Sequence, residues 1–388
     1  MKGKLWMVLV LSIVFGLLMA ACSSAPAATP TPKPTAPTVV PKPNVYTVGS
    51  INILTGDAAI WGVPAKEGEE VAVAEINAAG GINGVPLKVV YEDDRMNVAD
   101  ALTAYRKLVT VDKVPVIMAP TASNVVLSLC PEGQKDHIVL VGPFSTSPKL
   151  RDCGEYFFSL IVTDEAAGRE WFELYERRGM KQVAVMFSNN DYGIGVKDEF
   201  LKRMTAGGYS ANILRIQPYE VGATDFRTDL MKVSEAKPPT IFISGQPKEI
   251  ALILRQARES GIDAQWIGDS CFVAQQVLDV AGEAAEGALG LKPRLVADKY
   301  EVYAKAFKAL HGKEATPWSE FGYDATMVVA KAIEIGGYTS EGIRGAIRAA
   351  TENYVGPSGA KKLDEDRVAS GGNEWMIVKG GKFVLYQP

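Results

Sequence analysis

The fold is decided by residues 45–94, VYTVGSINILTGDAAIWGVPAKEGEEVAVAEINAAGGINGVPLKVVYEDD, and by residues 182–225, QVAVMFSNNDYGIGVKDEFLKRMTAGGYSANILRIQPYEVGATD, which repeat their order. In the first stretch a β-like run ends at Leu54 and a polar loop occupies 55–62. A helix-periodic run then closes on Ala79-Gly80-Gly81, a second β-like run spans 87–92, and Asp94 opens the next helix. In the second stretch the strand ends at Phe187, the loop is 188–193, the helix closes on Ala206-Gly207-Gly208, a strand follows, and Thr224-Asp225 opens the next helix. Each part has a local cause, since glycine suits the left-handed position after a last helical turn and Asp or Thr suits an N-cap. The shared order has no local cause and predicts two similar lobes.

Working outward, Val- and Ile-rich runs recur at 116–118, 138–141, 156–162 and 240–244, separated by helix-periodic runs such as 98–111 and 123–135. Strands alternating with helices predict parallel sheets covered on both faces, a doubly wound α/β architecture. The last runs, 375–378 and 382–385, meet at Gly380-Gly381 and predict a hairpin on the second lobe.

Ligands of open α/β sheets bind beyond the carboxyl ends of the strands. The loops there, 55–62, 121–124, 144–147, 188–193, 244–247 and 268–272, carry Trp61, Ser123, Phe144, Thr146, Tyr192, Gln246 and Asp269. Aromatic walls with hydroxyl, amide and carboxylate groups are the composition of a small-molecule pocket. Ser123 starts a helix, where free N–H groups favour an anion, though a serine there also serves as a simple cap.

The N-terminal residues carry an address. Lys2 and Lys4 precede an apolar run over 5–18 that ends in Met19-Ala20-Ala21-Cys22, the pattern of a secretory signal over 1–21. A cysteine directly after the cut resembles a bacterial lipoprotein signal, with Cys22 as the lipid anchor, although Met19 stands where leucine is usual. Residues 22–44 are rich in Pro, Ala and Thr, and such a segment extends roughly 3 Å per residue, a tether of up to about 60 Å. These features predict an extracytoplasmic protein held at the membrane by its lipid only. After Leu18 no apolar run is long enough to cross a bilayer. A net charge of -4 does not favour nucleic acid as a partner.

Three further cysteines allow one disulfide and one spare thiol. Short separation favours Cys130 with Cys153, and three separate buried thiols remain the alternative. Catalysis finds little footing. His137 and His311 are the only histidines and stand beside no nucleophile, Gly193-Ile194-Gly195 lacks the third glycine of a dinucleotide fingerprint because Asp198 is there, and Phe272 spoils a nucleophile elbow at Gly268-Asp269-Ser270. Glu92-Asp93-Asp94 reads as a solvated strand end with Asp94 as an N-cap. No cofactor or metal is expected.

Ile53-Leu54-Thr55-Gly56 with Trp61-Gly62, Gly80-Gly81-Ile82-Asn83-Gly84, Tyr91-Glu92-Asp93-Asp94, Gly142-Pro143 with Thr146 and Pro148, Asp191-Tyr192-Gly193, Thr224-Asp225-Phe226 and Tyr323-Asp324-Ala325 together resemble the leucine/isoleucine/valine-binding family. These are solute receptors of ABC importers with the type I periplasmic-binding-protein fold. The resemblance implies lobes at 45–164 with 296–357 and at 165–295 with 370–388, joined by three crossings near 162–165, 291–296 and 355–370 that act as a hinge. It also implies a monomer that binds a small solute and docks on importer membrane subunits. Ser123, the Phe144 N–H and Thr146 would hold a ligand carboxylate, Trp61 and Tyr192 would wall the ligand, and Tyr192, Gln246 and Asp269 would complete the enclosure on closing. Two departures stand out: Ser270 occupies the place of the usual acidic partner of the α-ammonium, with Asp269 one residue early, and Gln246 replaces a common aromatic. The leading expectation is a branched-chain or other apolar amino acid. An aliphatic or aromatic carboxylate, an amide, or a role as ligand-sensing partner of a signalling receptor are the alternatives.

Overall fold

The computed structural model describes residues 43–387; the leader, Cys22 and the tether as far as residue 42 lie outside them. Two parallel sheets organise the chain. The first contains β1 (Tyr46–Asn52), β2 (Leu87–Asp93), β3 (Val116–Met118), β4 (Val139–Gly142) and β5 (Phe157–Ser159) in the order β2-β1-β3-β4-β5. The second is built on β6 (Val183–Ser188), β7 (Ile213–Tyr219), β8 (Thr240–Ser244), β9 (Gln265–Gly268) and β10 (Leu289–Pro293). A short ribbon, β11 (Val355–Gly356) and β12 (Gly359–Ala360), precedes the terminal hairpin of β13 (Asn373–Lys379) and β14 (Lys382–Tyr386). That hairpin extends the second sheet antiparallel to β10, turning through Gly380 and Gly381 at positive φ.

Alternation along each strand explains why both faces are covered. Val116 and Met118 of β3 face helices α10 (Ser319–Gly336) and α11 (Ser340–Thr351), whereas Ile117 faces α2 (Val98–Thr110) and α3 (Ser123–Asp136). In the second sheet Val183 and Val185 pack on α4 (Asp164–Arg177) and α5 (Asp191–Ala206), while Ala184 and Met186 pack on α6 (Arg227–Ser234), α7 (Pro247–Glu259) and α8 (Gln275–Ala281). The remaining helices are α1 (Ala59–Ala78), which packs on α10, and α9 (Ala297–His311), which packs on α1.

Some local expectations change. Helix α1 begins at Ala59, inside the expected loop 55–62, and carries Pro64 in its second turn, where the ring gives up the hydrogen bond to the Ile60 carbonyl. Asp94 is not the cap of α2. Asn97 caps it, accepting from the N–H groups of Ala99 and Asp100, and Asp94 instead accepts from Met96 N–H. Cys130 of α3 is disulfide-bonded to Cys153, and Cys271 is free.

Candidate functional site

The strand tips of the two sheets enclose a cleft of about 660 Å³, counting the part open to solvent. Trp61 and Tyr192, expected in loops, sit in the first turns of α1 and α5. Each precedes a glycine for a steric reason: a Cβ on Gly62 would lie 2.1 Å from Ile53 O, and one on Gly193 would lie 2.3 Å from Ser188 O. The missing side chains let each helix start directly against its strand tip, which projects the neighbouring aromatic over the cleft.

Of the residues expected at the site, Trp61, Ser123, Phe144, Thr146, Tyr192, Gln246 and Ser270 line this cleft. Asp269 does not. It is fully buried one layer behind, where its Oδ1 accepts from Cys271 N–H at 2.9 Å and so caps a 3-10 turn over Ser270–Phe272. The cap turns the carboxylate into the lobe and leaves Ser270 at the cleft face. Thr121, Asn124, Asn190, Cys271 and Trp318 line the cleft without having been singled out in the sequence. Trp318 closes one wall, meeting Trp61 edge-on at 5.5 Å between ring centroids and stacking on Phe321 at 5.6 Å, which in turn leans on Phe144. Its only sequence signal was an aromatic placed between Pro317 and the start of α10.

On the first-sheet side, α3 starts at Ser123 with no side chain capping it. Ser123 is therefore not the cap that its position allowed; its Oγ accepts from Ser147 N–H at 3.3 Å, tying the loop after β3 to the loop after β4. First-turn N–H groups without acceptors and the dipole of the helix favour an anion there.

On the second-sheet side the electrostatics are reversed. No Lys, Arg, His, Asp or Glu is among the described residues lining the cleft. Behind Tyr192, however, lie two buried carboxyl groups, Asp269 and Asp164, and neither is ion-paired among the described residues. Burial pushes Asp269 up to about 6, against the lowering influence of the Ser244 and Tyr192 hydroxyls and of the Cys271 and Phe272 N–H groups. Burial holds Asp164 well above the usual carboxylate range, although the Thr146 side chain bonds to it. One oxygen of each, Oδ2, lacks a hydrogen-bond partner. Tyr192 Oη lies 3.5 Å from Ser270 Oγ, at the boundary between this acidic layer and the cleft.

The sheets also meet directly. Trp61 Nε1 donates to Gln246 Oε1 at 2.9 Å, and ion pairs join Lys248 to Asp57 and Lys149 to Asp191. His137 stacks on Tyr156 and His311 packs on Phe307, so neither histidine is at the cleft.

A family model described as the periplasmic binding protein matches residues 45–381. This chain belongs to that family. The binding protein is 28% identical over 317 residues to a leucine-, isoleucine-, valine-, threonine- and alanine-binding protein of Pseudomonas aeruginosa, covering 80% of this chain and 84% of the relative. Among solved structures it is similar to a leucine-binding protein, LivK, of Thermotoga maritima, with a TM-score of 0.80, 27% identity, and coverage of 88% of this chain and 98% of the other. It is also similar to LivJ, a branched-chain amino acid transporter substrate-binding protein of Streptococcus pneumoniae solved with isoleucine, with a TM-score of 0.79, 26% identity, and coverage of 87% and 97%. The two-lobed α/β fold and the solute-binding role follow from this membership.

Proposed function

We propose that the protein captures a small amphipathic amino acid and delivers it to the membrane subunits of an ABC importer. Cys22 would carry the lipid that holds it at the membrane, and closure would turn the lobes about crossings near 162–165, 291–296 and 355–370. One observation carries the solute reading: the cleft sets the uncapped start of α3 on one side against unpaired buried carboxyl groups behind Tyr192 on the other. An α-carboxylate suits the first and an α-ammonium the second, since charges leaving water need opposite partners. Ser123, the Phe144 N–H and Thr146 would hold the carboxylate, and the rings of Trp61, Phe144 and Trp318 would cover the apolar part. The ligands named for the Pseudomonas, Thermotoga and Streptococcus relatives support the same class.

A second reading, a simple carboxylate without an amine, draws on the neutral hydroxyl of Ser270 at the cleft face where an acidic side chain is usual. A thermal-shift series separates the two. A ligand that binds only the folded state raises the melting temperature with concentration, so α-amino acids are expected to do so and their deaminated analogues to do so far less. Equal shifts from both would remove the amine from the recognition.

A further inference from the structure

We propose that Gln246 is a specificity-determining donor that selects a ligand whose far end carries a neutral hydrogen-bond acceptor, an amide or similar carbonyl, over a purely aliphatic one; this rests on the amino-acid reading above. An indole N–H can only donate. At 2.9 Å from Trp61 Nε1, Gln246 must therefore present its oxygen to Trp61, which directs its NH₂ group elsewhere. That nitrogen has no acceptor among the described residues, and the side chain lines the cleft.

Asn190 is oriented by the same logic. Its Oδ1 accepts from Gly193 N–H at 2.9 Å, capping α5, and from Ser188 Oγ at 3.0 Å. Both bonds fix the oxygen, so its NH₂ is likewise a donor without a partner at the cleft wall. The second lobe thus offers amide N–H groups where an aliphatic side chain would strip their water and give nothing back.

Charge restricts the acceptor to a neutral one. No cationic side chain lines the cleft among the described residues, and Asp164 and Asp269 lie behind its wall. A second carboxylate on the ligand would have no counter-charge, whereas a carbonyl would satisfy the donors at no electrostatic cost.

The test uses near-isosteric pairs on the full chain by titration calorimetry. Asparagine and leucine differ by an amide in place of an isopropyl group, and succinamate and 4-methylpentanoate are the same pair without the amine. Wild-type protein is expected to bind asparagine at least about tenfold more tightly than leucine. Gln246→Glu keeps an oxygen for Trp61 and removes the donor, so it should lose that ratio about tenfold and gain affinity for 2,4-diaminobutyrate. Asn190→Asp keeps the helix cap and should lower the ratio by a smaller factor; Gln246→Met, checked for an unchanged melting temperature, guards against an effect of the new charge. Leucine binding as tightly as asparagine, or a ratio unmoved by Gln246→Glu, overturns the inference. If only the deaminated pair binds, the amino-acid reading fails, while a preference for succinamate that Gln246→Glu abolishes still upholds the role of Gln246.

Discussion

Replacing Asp269 by Asn should make the protein more stable and a poorer receptor. The carboxyl is fully buried and its pKa is raised from an ordinary 3.8 to about 6. Below 3.8 it is protonated whether the chain is folded or not. Between 3.8 and about 6 the folded chain keeps a proton that the unfolded chain has released, and above about 6 the folded chain must ionise the group in its buried site. The stability associated with this proton is therefore lost as pH rises through about 6, and the rise in pKa corresponds to about 3 kcal/mol at ~1.4 kcal/mol per tenfold. An asparagine keeps the oxygen that caps Cys271 N–H and places an amide beside the Ser244 hydroxyl, so it removes the charge without orphaning the cap. Urea unfolding of ligand-free Asp269→Asn should match wild type at pH 4 and exceed it by up to about 3 kcal/mol at pH 8. Calorimetry at pH 8 should show amino-acid affinity reduced at least tenfold, and wild-type affinity should fall toward that of the variant below pH 6. Burial also holds Asp164 well above the usual carboxylate range. An amide variant that binds amino acids within twofold of wild type at pH 8 would refute the ammonium assignment; one that is less stable at pH 8 would refute the burial argument.

Three further outcomes are expected. Ser123→Ala removes a hydroxyl from the anion end of the cleft and should weaken carboxylate ligands about tenfold, or ~1.4 kcal/mol, in calorimetry, and because it also leaves the buried Ser147 N–H without its acceptor the melting temperature should fall by a few degrees. Replacing Cys130 and Cys153 together by Ala opens a cross-link with a sequence separation of 23 and should cost about 3 kcal/mol, seen as a melting temperature several degrees lower that reductant no longer shifts. Gly195 of α5 faces Pro148 of the first lobe, and a Cβ there would approach Pro148 Cδ to 2.9 Å. Gly195→Val should therefore obstruct lobe apposition, weakening binding by about 1–3 kcal/mol while leaving the ligand-free melting temperature nearly unchanged; unaltered affinity would mean that the lobes close along another path.

What the sequence made legible was the identity of the groups around the cleft, because the α/β rhythm places strand tips and the residues after them. Val- and Ile-rich runs and the glycines Gly80, Gly81 and Gly208, all at positive φ, mark where strands begin and helices stop. The start of α1 was obscured because Ala58 and Ala59 carry no capping side chain, whereas Asn190 does cap α5. Trp318 was missed because it reaches the cleft from the segment before α10, far along the chain from the first-lobe loops it joins.

Direction was harder to read than identity, and the reason is physical. Asp269 stands at a strand tip, as an ammonium partner would, yet a single bond from Cys271 N–H turns it inward and brings Ser270 to the surface. Gln246 stands where an aromatic is common, but whether its amide offers an acceptor or a donor depends on Trp61, a residue of the opposite lobe. The determinants of ligand choice are therefore not properties of single positions. They are set by donors that reach across the cleft or from the next turn, so a change at Trp61 should alter which ligands are favoured: a ring without the indole N–H, as in Trp61→Phe, frees the Gln246 amide to turn and should erode the amide-over-aliphatic preference by a factor approaching that of Gln246→Glu.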